Sequence, residues 1–122
     1  MKKGFYFIGT NQYDKDGISF FGPELQEGSH EEYGTLFIHR KKDYEGNPNM
    51  WKVTHKSTGA AITERLDLKS ARLQAKKLQT FKLWEIKTYE EIRETIAESQ
   101  HNPESPYYED IKAIQNIRHL RA

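Results

Sequence analysis

The segment MWKVTHKSTGAAITE, residues 50–64, decides the fold of this chain. Apolar and polar residues alternate over residues 50–55 and resume at residues 60–64, as in strands that bury one face. Between the two runs, Ser57, Thr58 and Gly59 supply the small and flexible residues that a tight turn requires. The segment therefore predicts a β-hairpin.

One more strand is expected directly before this hairpin. Residues 35–42 show the same alternation, and the sequence Gly46-Asn47-Pro48-Asn49 predicts the turn that joins them to residues 50–55. The three strands together predict an antiparallel meander.

The first third of the chain predicts a second hairpin and then a loop. Residues 5–9 and 18–21 are short apolar runs on either side of the turn sequence Asp14-Lys15-Asp16-Gly17. Residues 22–34 are polar and acidic, so we expect a surface loop or one helical turn that starts at Pro23.

After residue 66 the spacing of apolar residues changes to that of a helix. The apolar positions that follow at steps of three and four are Leu68, Ala71, Ala75, Leu78 and Phe81. Asp67 precedes this run, where its carboxylate can accept hydrogen bonds from free N–H groups of the first turn. We expect a helix that covers the sheet.

Two further helices are expected in the last third of the chain. Thr88 and Glu91 have the spacing of a capping box, and Asn102 and the prolines after it end the helix that follows. Ser105 as cap and Pro106 at the first helical position predict the start of the last helix.

These elements predict an α+β fold, in which an antiparallel β-meander of three to five strands packs on one helix and is followed by a C-terminal helical hairpin. The length of 122 residues is that of one domain. Within it we expect mainly antiparallel sheet over residues 1–66, the packing helix over 67–87 and the helical hairpin over 88–122.

Composition excludes several classes of function. The chain has no cysteine, which excludes thiolate catalysis and cysteine metal sites and is compatible with a cytoplasmic location. No apolar run is long enough to cross a membrane, and no phosphate-binding glycine loop or dinucleotide motif is present. No histidine has a helical spacing to an acid that suits a metal, so we expect no metal and no cofactor.

The charge is unevenly distributed although the whole chain carries only +1. Residues 1–51 have a net charge of −2, residues 52–87 of +6 and residues 88–122 of −3. A basic centre between acidic ends favours a positive surface on one part of the fold.

The register of the predicted strands places that surface. If residues 57–59 close a tight hairpin, Val53 lies opposite Ile62, and Trp51 lies near Glu64 on the same face. We expect this face to be the core.

Pairing of the preceding strand adds Phe37 and His39 to the core face. The opposite face is then expected to hold Leu36, Ile38, Arg40, Lys42, Lys52, Thr54, Ala61, Thr63 and Arg65. Cations neutralise phosphates or carboxylates, and hydroxyl groups help to fix the register of a bound polyanion. The candidate binding residues on the sheet are Arg40, Lys42, Lys52, Thr54, Lys56 and Arg65.

The packing helix has a basic side of its own. Lys69, Arg72 and Lys76 follow at helical spacing away from the apolar positions, and Lys77 is adjacent. These four residues are a second candidate surface.

The pattern favours a non-enzymatic binding module that engages a polyanion, either a nucleic acid or an acidic protein surface. Three strands and then a helix, over residues 35–82, are similar in architecture to the small sheet-and-helix DNA-binding domains at the amino ends of some phage and transposon integrases. That resemblance implies a sheet that can enter a major groove.

Two other classes of function stay open. The first is an adaptor or inhibitor of the phage or mobile-element type, which would bind a protein through the acidic residues 24–32 and the C-terminal hairpin. The second is a hydrolase in which His39 and His55 approach each other diagonally on the core face and act as acid and base. Sequence alone leaves the oligomeric state and the natural partner open.

Overall fold

A computed structural model describes residues 1–40 and 50–122 of the chain. Five antiparallel strands form one sheet in the order of the sequence, and three α-helices follow. The elements are β1 (Lys2–Tyr13), β2 (Ser19–Tyr33), β3 (Leu36–Arg40), β4 (Trp51–His55), β5 (Ala61–Leu66), α1 (Leu68–Leu78), α2 (Tyr89–Ser99) and α3 (Tyr108–Ile117), with a short 3-10 helix at Lys82–Glu85. The expected α+β meander with a C-terminal helical hairpin is confirmed.

The turn between β1 and β2 is the one that the sequence predicts. The carboxylate of Asp14 accepts hydrogen bonds from the N–H groups of Asp16 and Ile18, both at 2.9 Å. Gly17 closes the turn with a positive φ of 79°. The predicted turn at residues 46–49 lies outside the described residues.

The predicted loop at residues 22–34 is wrong, because β2 continues through it to Tyr33. Pairing with β1 runs from Lys2 opposite His30 to Tyr13 opposite Ser19, so the polar residues receive their backbone hydrogen bonds from a neighbouring strand. Pro23 is tolerated opposite Gly9, whose N–H group points away from β2.

The register of β3 is the reverse of the predicted one. Ile38 pairs with Val53, and both belong to the core that α1 covers. Phe37 pairs with Thr54 and therefore lies on the opposite face with His39. Both faces of β3 carry large side chains, and a shift of one residue exchanges them.

The pairing of β5 also differs from the expectation. Val53 lies opposite Thr63 and Trp51 opposite Leu66, with irregular steps between the pairs, although the expectation was Ile62 and Glu64. Ile62 nevertheless belongs to the core cluster. A bulge is the physical reason, because one extra residue shifts every pair that follows it.

Helix α1 packs across β3, β4 and β5 as expected, and Asp67 caps it by accepting a 2.7 Å hydrogen bond from the N–H of Ser70. The helix ends at Leu78, and a 3-10 helix lies within the range expected for the packing helix. The indole of Trp84 folds back and donates to the carbonyl oxygen of Leu78 at 2.7 Å. This hydrogen bond fixes the point at which the helix ends.

The caps of the last two helices differ in how well sequence predicted them. Thr88 caps α2 as expected, because its hydroxyl accepts from the N–H of Glu91 at 3.2 Å. Helix α3 starts later than predicted, with Tyr107 at the cap position and no side-chain cap. The Ser105 hydroxyl accepts from the N–H of Tyr107 at 3.2 Å and lies 2.7 Å from the hydroxyl of Ser99, the last residue of α2.

Strand β1 curls back against the turn between β4 and β5. The N–H of Gly9 donates to the carbonyl oxygen of Gly59 at 2.8 Å. Gly59 has a positive φ of 71°, and a Cβ there would collide with the Gly9 backbone. Nearby, the rings of Phe21 and Tyr89 stack with centroids 3.9 Å apart. One backbone hydrogen bond and one ring pair hold this end of the hairpin.

Candidate functional site

The predicted positive face of the sheet is not formed as expected by the residues that the structure describes. Arg40 pairs with Trp51, whereas Lys52 pairs with His39, so Arg40 and Lys52 lie on opposite faces. Thr54 shares the face of Lys52 but is 1% exposed. The prediction that these three residues share one outer surface is wrong, for the same reason as the β3 register.

Three of the predicted sheet cations, Arg40, Lys52 and Lys56, have partners within the chain. The Arg40 guanidinium lies 5.3 Å from the centre of the Trp51 ring. Lys52 contacts Glu64 at 3.1 Å, and Lys56 contacts Glu32 at 3.4 Å. Lys42 lies outside the described residues, and Arg65 belongs to β5.

The basic side of α1 agrees with its prediction better than the sheet face does. Lys69, Lys76 and Lys77 are exposed and make no ion pair among the described residues. Arg72 is different, because its Nε donates to Glu31 on β2 at 2.9 Å. Three of the four predicted cations therefore remain accessible on the helix.

The two histidines proposed as an acid and base pair are on opposite faces of the sheet. His39 is 1% exposed and bonds to the Thr54 hydroxyl and the Arg40 carbonyl oxygen, at 2.7 and 2.9 Å. His55 is fully buried and bonds to the Trp84 carbonyl oxygen at 2.7 Å. The predicted diagonal approach of the two rings is therefore wrong.

Burial also sets the charge of both rings. Removal of water lowers the pKa of His39 to about 4, against the smaller opposing effect of its hydrogen bond to the Arg40 carbonyl oxygen. Burial likewise lowers the pKa of His55. Both rings are neutral at physiological pH and serve as hydrogen-bonded parts of the interior.

A different cationic site lies between β5 and the end of α3. A cavity of about 500 Å³ is lined by the four consecutive residues 61–64 of β5 and, across from them, by Gln115, Arg118, His119 and Arg121. Successive side chains of a strand alternate between faces, so four consecutive residues border a cavity only along the backbone edge. Among the described residues, strand β5 pairs with β4 alone, so we infer that its other edge faces the cavity.

An apolar cavity continues from the cationic one. It has a volume of about 230 Å³ and shares Ala61, Ile62, Gln115 and Arg118 with its neighbour. Its other lining residues are mostly apolar and come from the 3-10 helix, α2 and α3: Leu83, Trp84, Ile92, Ile96, Ile111 and Ile114, together with Ala60, Tyr89 and Arg93. We call the two connected cavities, with the edge of β5, the β5 groove.

The wall of the β5 groove is anchored to α1. The buried side chain of Gln74 donates to the carbonyl oxygens of Arg118 and Leu120 at 3.2 and 2.7 Å. These hydrogen bonds fix the backbone of this segment, and the side chains of Arg118, His119 and Arg121 remain exposed.

Positive charge extends from the β5 groove to the first turn of α1. The hydrogen bond from Ser70 lowers the pKa of Asp67, and the charges of Arg121 and Lys69 add to this effect. Arg121 and Lys69 therefore lie near the same carboxylate. The one acidic residue that lines the groove, Glu64, is paired with Lys52.

The groove also contains a polar side chain without a partner. Thr63 is 6% exposed, lines the cationic cavity, and its hydroxyl oxygen makes no hydrogen bond within the described part of the chain. A buried hydroxyl without a partner is uncommon in folded proteins and marks a position where a bound group can supply the bond.

Sequence reasoning missed the two arginines of the β5 groove. Arg118 and Arg121 fall in a segment whose net charge is negative, because its acidic residues precede them along the chain. The local sequence Arg-His-Leu-Arg was the available signal. Nothing in it indicated that β5, more than fifty residues earlier, would lie opposite.

Comparison with protein families, curated proteins and solved structures found no match. Within residues 1–40 and 50–122, no group of three or more histidine and acidic side chains is placed to hold a metal ion. Over the same residues, no helix has the length and apolar character needed to cross a membrane. The function must therefore be inferred from the geometry of this chain.

Proposed function

We propose that this protein is a cytoplasmic, non-enzymatic binding module that engages an acidic segment of another protein through the β5 groove. The observation that carries the proposal is the cavity in which an edge strand faces Arg118, His119 and Arg121. The sequence favoured an acidic partner and a basic sheet face, and the groove supplies a basic surface at the edge of the sheet.

The backbone of β5 supports an extended ligand. A peptide that adds to a free sheet edge gains main-chain hydrogen bonds, and pockets beside the edge select its side chains. The free edge of β5 and the cavity that runs along residues 61–64 meet the first requirement.

The two cavities support a specific peptide chemistry. The apolar cavity of about 230 Å³ has room for one large aliphatic or aromatic side chain. The arginines beside it favour carboxylates, with which guanidinium groups form paired hydrogen bonds. We therefore expect an extended segment with one apolar anchor and acidic residues next to it.

The proposal is tested with an array of labelled acidic nonapeptides, each with one central apolar residue, by fluorescence anisotropy at low salt. Arg118→Glu should weaken the tightest peptide at least ~10-fold, since it removes an attraction and adds a repulsion. Lys15→Glu is the matched control, because Lys15 is exposed in the β1–β2 turn far along the chain from the groove. The affinity of Lys15→Glu for the same peptide should differ from that of the natural chain by less than about twofold, because a distant exposed charge is screened.

Two results would contradict the proposal. One is the absence of any peptide that binds more tightly than about 1 mM. The other is a peptide whose affinity is the same for Arg118→Glu and Arg121→Glu as for the natural chain.

A nucleic acid is the second candidate partner, and the accessible lysines of α1 favour it. Lys69, Lys76 and Lys77 are exposed and lie along one helix. Binding of generic duplex DNA or RNA through them should fall with salt, with a log–log slope of about −3 for three neutralised phosphates. Lys76→Glu combined with Lys77→Glu should abolish it, and peptide binding in the groove should be unaffected.

A further inference from the structure

The cationic cavity of the β5 groove contains a hydroxyl group that the fold itself does not use. Thr63 is 6% exposed and lines this cavity, and its Oγ1 makes no hydrogen bond within the described part of the chain. A buried polar group without a partner destabilises the folded state. A ligand in the cavity that accepts a hydrogen bond from Thr63 removes this cost.

Two guanidinium groups line the same cavity. Arg118 is exposed and makes no ion pair among the described residues. The Nη1 of Arg121 donates to the carbonyl oxygens of Arg118 and Leu120, at 3.2 and 2.9 Å. The guanidinium of Arg121 is thus held beside the backbone of Arg118, and its Nε and Nη2 donate to no acceptor in the described residues.

The carboxylates that the structure shows near these arginines are engaged elsewhere. Glu64 lines the cavity, but it contacts Lys52 at 3.1 Å. Asp67, which feels the charge of Arg121, accepts from the N–H of Ser70 at 2.7 Å and does not line the cavity. The charges of the two arginines are therefore not balanced within the lining of the cavity.

These donors exceed what one carboxylate can accept. The two oxygens of a carboxylate are both bound by the fork of a single guanidinium. Two acidic side chains that point to the same side of an extended segment are two residues apart, about 7 Å, so their carboxylates do not share one position. A phosphate monoester brings three acceptor oxygens and a charge of about −1.5 to −2 to one position.

We propose that the cationic cavity binds a phosphate monoester, which the segment in the β5 groove carries as phosphoserine or phosphothreonine. The guanidinium groups of Arg118 and Arg121 bind the phosphate oxygens, and the Thr63 hydroxyl donates to one of them. The inference rests on the proposed function and specifies the acidic group of the partner.

The position of Thr63 favours a short phosphorylated side chain. Thr63 belongs to β5, and a strand that pairs with β5 lies about 4.8 Å from it. A phosphate on a serine or threonine of that strand stays near β5. The apolar cavity shares Arg118 with the cationic one, so the apolar anchor of the segment lies close to the phosphorylated residue.

Inorganic phosphate tests the site without any peptide. At constant ionic strength adjusted with sodium chloride, phosphate should shift the amide NMR signals of residues 61–64 and 118–121 to saturation, with a dissociation constant below about 20 mM. Arg118→Glu should abolish these shifts, and the control Lys15→Glu should retain them. The absence of a saturable shift overturns the inference but leaves the binding of acidic peptides, and with it the proposed function, unaffected.

Peptides distinguish a phosphorylated segment from a merely acidic one. Each nonapeptide of the array is compared by fluorescence anisotropy in three forms, with one aspartate, with phosphoserine in its place, or with a second aspartate two residues away. The phosphoserine form should bind at least ~10-fold more tightly than the other two. Equal affinity of the phosphoserine and two-aspartate forms overturns the inference and supports the proposed function. Saturable phosphate binding without binding of any peptide contradicts both and assigns the cavity to a free phosphate compound.

Thr63→Val tests the hydroxyl group, because valine keeps the shape of the side chain. The urea midpoint of the free chain should not fall, since the hydroxyl has no partner there, whereas affinity for the phosphoserine peptide should fall ~10-fold. Thr35→Val is the matched control: the Thr35 Oγ1 is also buried without a partner, but Thr35 does not line the groove. It should leave this affinity unchanged. A lower urea midpoint for Thr63→Val, or an unchanged affinity for the phosphoserine peptide, overturns the inference.

Discussion

The two halves of the sheet are stabilised in different ways. Strands β3, β4 and β5 lie under α1, and residues such as Ile38 and Val53 are completely buried between sheet and helix. In the hairpin of β1 and β2, by contrast, Phe5, Phe7 and Leu25 are more than half exposed. Its contacts with the rest of the fold include the packing of Tyr6 on Phe37 and His39, the hydrogen bond from Gly9 to Gly59, and the stacked rings of Phe21 and Tyr89.

This difference shows that pairing within one sheet does not imply equal stability along it. Burial of apolar area is the dominant favourable contribution to folding, and it is concentrated in the half that the helices cover. The other half has fewer buried apolar side chains and leaves more of its apolar area exposed. The predictions below test this contrast between the two halves, beginning with the largest expected effect.

Removal of a side chain from the covered half should cost most. Ile38→Ala deletes a fully buried side chain at the centre of the core, and the free energy of unfolding should fall by about 4 kcal/mol. Urea unfolding monitored by tryptophan fluorescence measures it. A loss of less than about 1 kcal/mol would contradict the view that the covered half carries most of the stability.

Acid should destabilise the junction between the two halves, where His39 packs against Tyr6 of β1 and Phe37 of β3. The pKa of His39 in the fold is about 4, below the ordinary value of 6.5, so the unfolded chain binds a proton first as the pH falls. This contribution to stability is complete above pH 6.5 and is lost between 6.5 and about 4. The expected loss is about 3 kcal/mol, and His55 acts in the same direction.

Unfolding by urea at several pH values measures this loss, and a histidine NMR titration assigns it. His39→Gln should have a flatter dependence of stability on pH than the natural chain. If the His39 ring titrates near its ordinary pKa of 6.5 rather than near 4, the ring is not buried as described.

The contact that holds the hairpin should be sensitive to one methyl group. Gly59→Ala places a Cβ against the Gly9 backbone at a positive φ, and we expect a loss of about 2 kcal/mol. Hydrogen exchange should increase mainly in β1 and the distal part of β2, because the covered half keeps its core. Gly17→Ala is the control. Gly17 has a similar positive φ but open space where a Cβ would lie, so this variant measures backbone strain without a collision.

The smallest effect on stability is expected for a substitution in the exposed half, at Phe7. Phe7→Ala removes a larger side chain than Ile38→Ala, but Phe7 is 58% exposed. The free energy of unfolding at a concentration where the chain is monomeric should change by less than about 0.5 kcal/mol. A loss of unfolding free energy near that of Ile38→Ala would show that the Phe7 side chain is buried in the monomer.

Local elements followed from the sequence because their determinants lie within a few residues. The Asp14 turn, the caps at Asp67 and Thr88 and the apolar spacing of α1 each depend on interactions between near neighbours. The start of α3 was predicted too early. The Ser105 hydroxyl accepts from the N–H of Tyr107, as a cap would, but the regular helix begins only at Tyr108.

The candidate site was much less accessible to sequence reasoning. The cations predicted on the sheet were assigned from strand phase, and one error of phase in β3 separated Arg40 from Lys52. The β5 groove depends on a contact between segments that are distant in sequence. Neither its charge nor its position has a local signature in residues 61–64.

By itself, the amino-acid sequence determined the types of element and their order, because alternation, helical spacing and turn residues act over short distances. The tertiary structure alone decided which face of β3 is covered. Leu36, Phe37, Ile38 and His39 offer a buried side chain to either face, and only the helix packed on one side distinguishes them. It also decided where positive charge meets a strand edge, since that requires residues from the middle and the end of the chain to lie together.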